Sequence, residues 1–344
     1  MRKIYTILTL ALCFLLPGCS DDDNNPDRNQ LKVSSAEVSF TCEGGEGIIT
    51  VNSNLPISAT STEEWCQVVV DKTTVNVTVA PNLIISSRTA MVTIAAGEEK
   101  TQVPVYQLGD IFDTDLRNAD IASAGGEITY RVKSNWEIKV EGVDESWLTY
   151  TLSEDQLTFK IAPLTEGGKY RKNEIKVIAG PNEIPITLTQ VNLTGEYACY
   201  INKGNTAKGT CVIEETETHM LYKVNPTGSH YDAPYYAKYR NGEFVIYFGQ
   251  YLGQAPRSDD YTYVYLCAYD AAGTLSWSNT IEYVAPIDGT KEGKMQLVFK
   301  DNGTWPDQKV DGFYYGLFNN MINQGGSTTG YGLAAIIDLV WTKK

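Results

Sequence analysis

Gly125-Gly126-Glu127-Ile128-Thr129-Tyr130-Arg131-Val132-Lys133-Ser134-Asn135-Trp136 decides the fold of the first half of this chain, because its landmarks occur twice. Gly44-Gly45-Glu46 and Ser53-Asn54 stand 81 residues upstream of the matching pieces. Further on, Trp65 answers Trp147, Arg88 answers Arg171 and Gln107 answers Gln190, at offsets of 82 and then 83. Such creep marks short insertions in loops, where they are tolerated. Within the quoted stretch Ile128, Tyr130 and Val132 alternate with Thr129, Arg131 and Lys133. A period of two sends every second side chain to one face of a strand. The same alternation runs through Val75, Val77 and Val79, then Leu157, Phe159 and Ile161, then Ile184, Ile186 and Leu188. Several such strands per copy, punctuated by Gly, Asn and Pro, predict an immunoglobulin-like β-sandwich at residues 31–109 and another at 110–192.

The conspicuous side chains of the repeats read as structural. Trp65 and Trp147 each follow an acidic turn and open a strand, the position of a core plug. Trp136 alternates with Ile138 and Val140, which favours a core position over a sugar platform. Cys66 aligns with Leu148 and reads as a buried hydrophobe, a common use of free cysteine. The Gly-Gly turn, the Ser-Asn pair, the central Trp, the strand-opening Arg and the closing Gln together resemble the BACON domain. That resemblance covers roughly Leu31–Asn192 and implies a β-sandwich with a suspected carbohydrate-binding role. The second copy carries the family's aromatic at Trp136, where the first copy has Leu55.

From residue 193 the repeat ends and 17 of the 22 tyrosines crowd into residues 193–344. Alternation continues in Phe244, Ile246 and Phe248, in Met295, Leu297 and Phe299, and from Leu333 to Trp341. Helical spacing is absent at useful length, so the expectation is a third all-β domain, larger than one immunoglobulin unit: a larger β-sandwich or a barrel. Thr194-Gly195-Glu196-Tyr197, Phe248-Gly249-Gln250-Tyr251-Leu252-Gly253 and Phe299-Lys300-Asp301-Asn302-Gly303 resemble calycin-like domains of other surface lipoproteins.

Tyr261, Tyr263, Tyr265 and Tyr269 share one face of a predicted strand whose other face carries Val264, Leu266 and Ala268. That row is either a ladder covering a neighbouring strand or an exposed surface on which sugar rings stack. The candidate ligand-binding residues are aromatics in or near predicted loops: Tyr235, Tyr236, Trp277, Trp305, Tyr314 and Tyr315. Cys199 and Cys211 lie six residues either side of Asn205, so a hairpin symmetric about that turn would set them opposite each other, within disulfide reach.

At the other end, Arg2 and Lys3 precede an apolar run from Ile4 to Leu16, too short to span a bilayer core of ~30 Å and suited to a secretion signal. Leu16-Pro17-Gly18-Cys19 resembles a bacterial lipobox, and the following Ser20-Asp21-Asp22-Asp23 resembles the export signal of surface lipoproteins in the Bacteroides group. The resemblance implies a leader at 1–18, lipidation of Cys19, a flexible tether at 19–30 and an outer-membrane, cell-surface address. The lipid would be the only membrane attachment.

A formal net charge of −14 opposes binding to nucleic acid. Five cysteines besides Cys13 and Cys19, with no CxxC spacing, argue against a disulfide framework and against a zinc site. Only His219 and His230 are present, without HExxH, GxSxG or a Cys/His pairing, so neither a catalytic centre nor a metal or cofactor is expected. The expected partner is a polysaccharide or a glycoprotein glycan, with other surface glycan-uptake proteins alongside. The alternatives are a structural or adhesive surface protein, and a barrel holding a small hydrophobic ligand.

Overall fold

The structure, a computed structural model, describes residues 30–228, 232–257, 260–287 and 294–344; for Arg257, Asp260 and Tyr261 it describes the backbone alone. The leader, Cys19, nearly all of the acidic tether, His230 and Tyr231 therefore lie outside the described residues. Apart from one short 3-10 turn at Ile322–Gln324, every element among the described residues is a strand. The chain divides into two compact units, Met1–Gly109 and Asp110–Lys344.

Each repeat is a sandwich of two four-stranded sheets. In the first, Leu31–Ala36, Gly45–Ser53, Thr74–Val79 and Cys66–Asp71 form one sheet; Ser39–Phe40, Glu99–Gln107, Arg88–Ala96 and Ile57–Ser61 form the other. The opening segment switches sheets, pairing antiparallel through Leu31–Ala36 and parallel through Ser39–Phe40. The second copy repeats the switch with Phe112–Thr114 and Ala119–Ile121. Alternating residues from both sheets meet in the middle, including Val75, Val77 and Val79 in the first copy and Tyr130, Val132 and Phe159 in the second.

The repeated landmarks are consumed by this architecture. Gly44 and Gly125 hold left-handed φ of 79° and 72°, and a Cβ on either would strike the carbonyl oxygen of Val79 or Ile161. Ser134 Oγ accepts the N–H of Trp136 and Asn135 Oδ1 accepts that of Ile111; Ser53 and Asn54 do the same for Leu55 and Gln30. Gln190 is fully buried, its amide donating to the carbonyls of Ala122, Ser123 and Ala162 while its oxygen accepts from Arg171 at 2.8 Å. Arg171 in turn lies 4.4 Å over the Trp147 ring. Gln107, Arg88 and Trp65 build the same lock, with 4.3 Å between guanidinium and ring. Trp147 is buried and Trp65 half-buried against its core, as plugs should be.

Trp136 departs from the expected core position. It is half-exposed, its ring rests on Gly180, and its Nε1 donates to Asp110 at 2.9 Å. The turn held by Ser134 and Asn135 separates it from the strand Ile138–Glu141, so the alternation with Ile138 does not extend back to it.

The C-terminal region is built on a nine-stranded sheet in the order Gln296–Val298, Val340–Lys343, Gly195–Ile201, Thr206–Glu215, Leu221–Thr227, Tyr235–Arg240, Glu243–Tyr247, Glu282–Pro286, Lys300–Asp301. Its two end strands are halves of one run broken only at Phe299. One half pairs with Val340–Lys343 and the other with Glu282–Pro286, so the sheet nearly closes into an eight-stave barrel. Near-closure covers most of the exposed edge that an open sheet of this size would leave. A second sheet of five strands, Gln250–Arg257, Asp260–Tyr269, Gly312–Phe318 and Thr328–Ile337 with the short Leu275–Ser276, continues directly from two barrel strands. Its inner face, with Val264, Leu266, Ala268, Phe313 and Tyr315, completes the barrel's own core.

Side chains fill that core. Trp341 contacts Phe244, Phe299 and Tyr197 at ring separations of 6.0, 5.0 and 6.5 Å. A space beside it, lined by Cys199, Cys211 and Tyr235 among others, is about 30 Å³, room for about one water. Among the described residues this part of the interior is occupied by side chains rather than by a ligand-sized space.

Cys199 and Cys211 are free and diagonal rather than opposite: Cys199 pairs with Gly209 and Cys211 with Tyr197. The turn spans Asn202–Asn205, so it centres earlier than the sequence suggests, and a bulge follows Cys199.

Candidate functional site

The outer face of the five-stranded sheet concentrates aromatic side chains that the barrel core does not use. Asp260–Tyr269 alternates strictly, so Val264, Leu266 and Ala268 turn inward while Tyr263, Tyr265, Cys267 and Tyr269 turn outward. Opposite them, Gly312–Phe318 turns Phe313 and Tyr315 inward and Tyr314, Gly316 and Phe318 outward. A bulge between Tyr251 and Gly253 in the neighbouring strand sets Tyr251 against Tyr263 and Tyr265, at ring separations of 6.2 and 5.4 Å.

The middle of this face is sealed. Tyr265 meets Phe318 edge to face at 5.1 Å, Trp277 stands on Phe318 at 5.0 Å, and the Tyr265 hydroxyl accepts the N–H of Ile322. Gly316 leaves room for Cys267 Sγ, which a Cβ there would approach to 2.9 Å. Burial pushes the Cys267 thiol up to about 12. The margins are open. At one end Tyr251 is 44% exposed and Tyr263 is partly exposed. At the other, Tyr269 and Tyr314 stack at 5.7 Å with 20° between their planes, and Gly332 lies against the Tyr314 ring. Six residues of strand separate Tyr263 from Tyr269, about 20 Å. The result is two tyrosine rims flanking a packed aromatic centre. Such rims offer ring faces and hydroxyls together, the equipment for contact with a hydroxylated, weakly apolar ligand.

Of the six candidate aromatics, three belong elsewhere. Tyr235 is 1% exposed and packs on Phe313 inside the barrel, because Tyr235, Ala237 and Tyr239 form the inward series of their strand. Tyr315 is buried on the inner face beside Phe313. Trp305 follows the turn Asp301–Thr304 and folds its ring into the barrel core. The remaining three face outward. Tyr314 belongs to one rim and Trp277 to the sealed centre. Tyr236 is 41% exposed on the barrel wall, its strand clamped by Gln250, which accepts the Tyr236 N–H and donates to the Tyr236 carbonyl. Tyr251 lies outside the six candidates that the sequence offers. Its signal is the glycine two residues on, Gly253 at φ 124°, which permits the bulge.

Among the described residues no group of three or more His, Cys, Asp or Glu side chains is placed to hold a metal ion. No helix there is long and apolar enough to cross a membrane.

The BACON family model, described as "Putative binding domain, N-terminal", matches residues 55–108. No curated protein matches the chain. Among solved structures, a titin tandem of domains I9 to I11 overlays 61% of this chain and 98% of its own at 10% identity and a TM-score of 0.33. A protein from Bacteroides thetaiotaomicron solved by NMR covers 27% of this chain and 98% of its own, at 19% identity and 0.21. An endo-fucoidan hydrolase of glycoside hydrolase family 107 aligns over 49% of this chain but 30% of its own length, at 11% identity and 0.24. Overlays of that size carry no argument about function, and the all-β assignment stands on the strands and registers themselves. The chain is similar to the BACON family across the second half of its first sandwich, where the Trp65, Arg88 and Gln107 lock lies.

Proposed function

We propose that this protein is a non-catalytic, lipid-anchored surface protein that binds glycan through the tyrosine rims of its C-terminal region. The observation that carries the reading is the pair of open margins, Tyr251 with Tyr263 and Tyr269 with Tyr314, on a face whose centre is packed rigid. Rigid rings pay little conformational entropy on binding and cover sugar faces well. The similarity to a family described as a binding domain supports the binding half of the reading. The anchor and the outer-membrane address rest on the sequence around Cys19. Partners are a polysaccharide or glycoprotein glycan, with other surface glycan-uptake proteins beside it.

One observation favours a purely structural role for the first two domains: their shared landmark residues are spent on backbone carbonyls, turns and core rings. They act as holders for the third. A glycan array probed with the full chain, in parallel with a Tyr251→Ala, Tyr263→Ala double variant, tests the reading. Hits lost in the variant support it, and an array blank with both proteins sinks it in favour of a scaffold. Metabolic labelling with a fatty-acid analogue checks the anchor, where Cys19→Ala is expected to abolish the label.

A further inference from the structure

We propose that a polar cleft between the second sandwich and the barrel binds a single neutral monosaccharide unit, independently of the tyrosine rims. The two walls are fixed to each other. Asn182–Asn192 runs almost directly into Gly195–Ile201, and Val191 and Leu193 are buried in the barrel's core cluster. The Ser123 hydroxyl donates to the Glu215 carboxylate, and the N–H of Asn241 on the barrel donates to Asp120 Oδ2 on the sandwich at 3.1 Å.

The cleft between them has a volume of about 360 Å³ and is lined by Asn118, Asp120, Tyr170, Thr187, Thr189 and Tyr239, among others. Tyr239 supplies the decisive detail. It is 3% exposed, and its hydroxyl donates to no group among the described residues, the Gly242 N–H being the backbone group directed at it. A buried hydroxyl whose own proton is left unpaired is costly, and phenylalanine would fill the same volume without that cost. Other buried tyrosines of the barrel are satisfied: Tyr197 donates to the Leu193 carbonyl and Tyr283 to that of Asp311.

The lining selects the ligand's chemistry. Tyr239 offers a donor, Thr187 and Thr189 offer hydroxyls, and Asp120 offers a carboxylate oxygen beyond the one that Asn241 engages. Burial raises the Asp120 carboxyl above its ordinary range, opposed by the Asn241 N–H and by His219. Alternating donors and acceptors beside phenol rings suit vicinal hydroxyls. A lone carboxylate disfavours phosphates and acidic sugars, and it is too few ligands for a hard cation. The volume is at the small end for ligand sites, matching one sugar ring rather than an oligosaccharide.

The test titrates the full chain with glucose, galactose, mannose, fucose and N-acetylglucosamine, and with glucuronate as an acidic control, followed by saturation-transfer NMR and thermal shift. At least one neutral sugar is expected to bind and raise Tm, and glucuronate is expected not to. Tyr239→Phe should weaken that binding about tenfold, the loss of roughly one hydrogen bond, while leaving the ligand-free Tm unchanged or higher. Asp120→Asn, which keeps an acceptor for Asn241, should weaken it as well. Tyr251→Ala should leave it intact, which separates this site from the rims. The proposal is overturned if no neutral sugar binds, if affinity is unchanged in both Tyr239→Phe and Asp120→Asn, or if Tyr251→Ala removes the same binding.

Discussion

The barrel interior and the outer face of the five-stranded sheet are made from the same residue types, yet they do different work. Inside, Tyr197, Tyr222, Tyr235 and Tyr283 are buried, and desolvation raises the pKa of each. Outside, Tyr251, Tyr263, Tyr269 and Tyr314 pack against one another and keep part of each ring in solvent. Tyrosine content alone therefore does not tell a core ring from a surface ring; the parity of the residue within its strand does. The comparison also separates what a substitution should cost: interior rings should carry stability, and under the proposed function rim rings should carry contact.

The largest effect should come from the interior. Trp341 is 2% exposed and touches three aromatic rings, so Trp341→Ala should destabilise the C-terminal region by about 3–5 kcal/mol. Urea denaturation followed by tryptophan fluorescence and circular dichroism reads this out. A cost below about 1 kcal/mol would erase the distinction between the two regions. A smaller loss is expected at the sandwich lock. Gln190→Ala leaves the carbonyls of Ala122, Ser123 and Ala162 without that donor and frees Arg171 from its acceptor, a cost of about 1–3 kcal/mol. Gln107→Ala should cost a similar amount in the first sandwich, and calorimetry on both variants compares the copies.

Cysteine chemistry tests how tightly the aromatic centre is sealed. Cys267 lies at 0% exposure with its thiol pushed up to about 12, and Cys42, Cys66 and Cys211 are also buried. Only Cys199 among the five described cysteines is partly exposed. Iodoacetamide at pH 8 should therefore label Cys199 first in the native protein, as mass spectrometry of the peptides would report. Rapid labelling of Cys267 would mean that the aromatic centre opens. The smallest stability effect belongs to the rim: Tyr251→Ala should change stability by less than about 1 kcal/mol, since its ring is already 44% in water.

Strand existence and the duplicated sandwich were legible because a period of two is a local signal, as in Ile128, Tyr130 and Val132. Near-closure of the barrel was not, because it depends on Gln296–Asp301 pairing with two partners on opposite sides, one nearby and one some 40 residues on. Tyr235 followed Pro234 and looked like a loop residue, yet Tyr235, Ala237 and Tyr239 were an inward series all along; the small alanine hid the pattern. Trp305 does lie in a loop, and only the fold shows that the loop's ring is tucked into the core. Cys199 and Cys211 miss each other because the turn centres between Lys203 and Gly204 rather than on Asn205, and the bulge beside Gly209, at φ 137°, recovers only part of that offset. The Tyr251 rim is not legible in the sequence either, since the bulge at Leu252 is what brings it beside Tyr263.

The most direct test of the account is a calorimetric titration of any array-identified glycan into three proteins: the unaltered chain, Tyr251→Ala with Tyr263→Ala, and Tyr235→Phe. The rim pair should lose at least tenfold in affinity with its thermal midpoint nearly unmoved, while Tyr235→Phe, altered only inside the barrel, should bind as the unaltered chain does. Equal affinity in the rim variant, or a loss confined to Tyr235→Phe, would contradict the assignment of binding to the outer face.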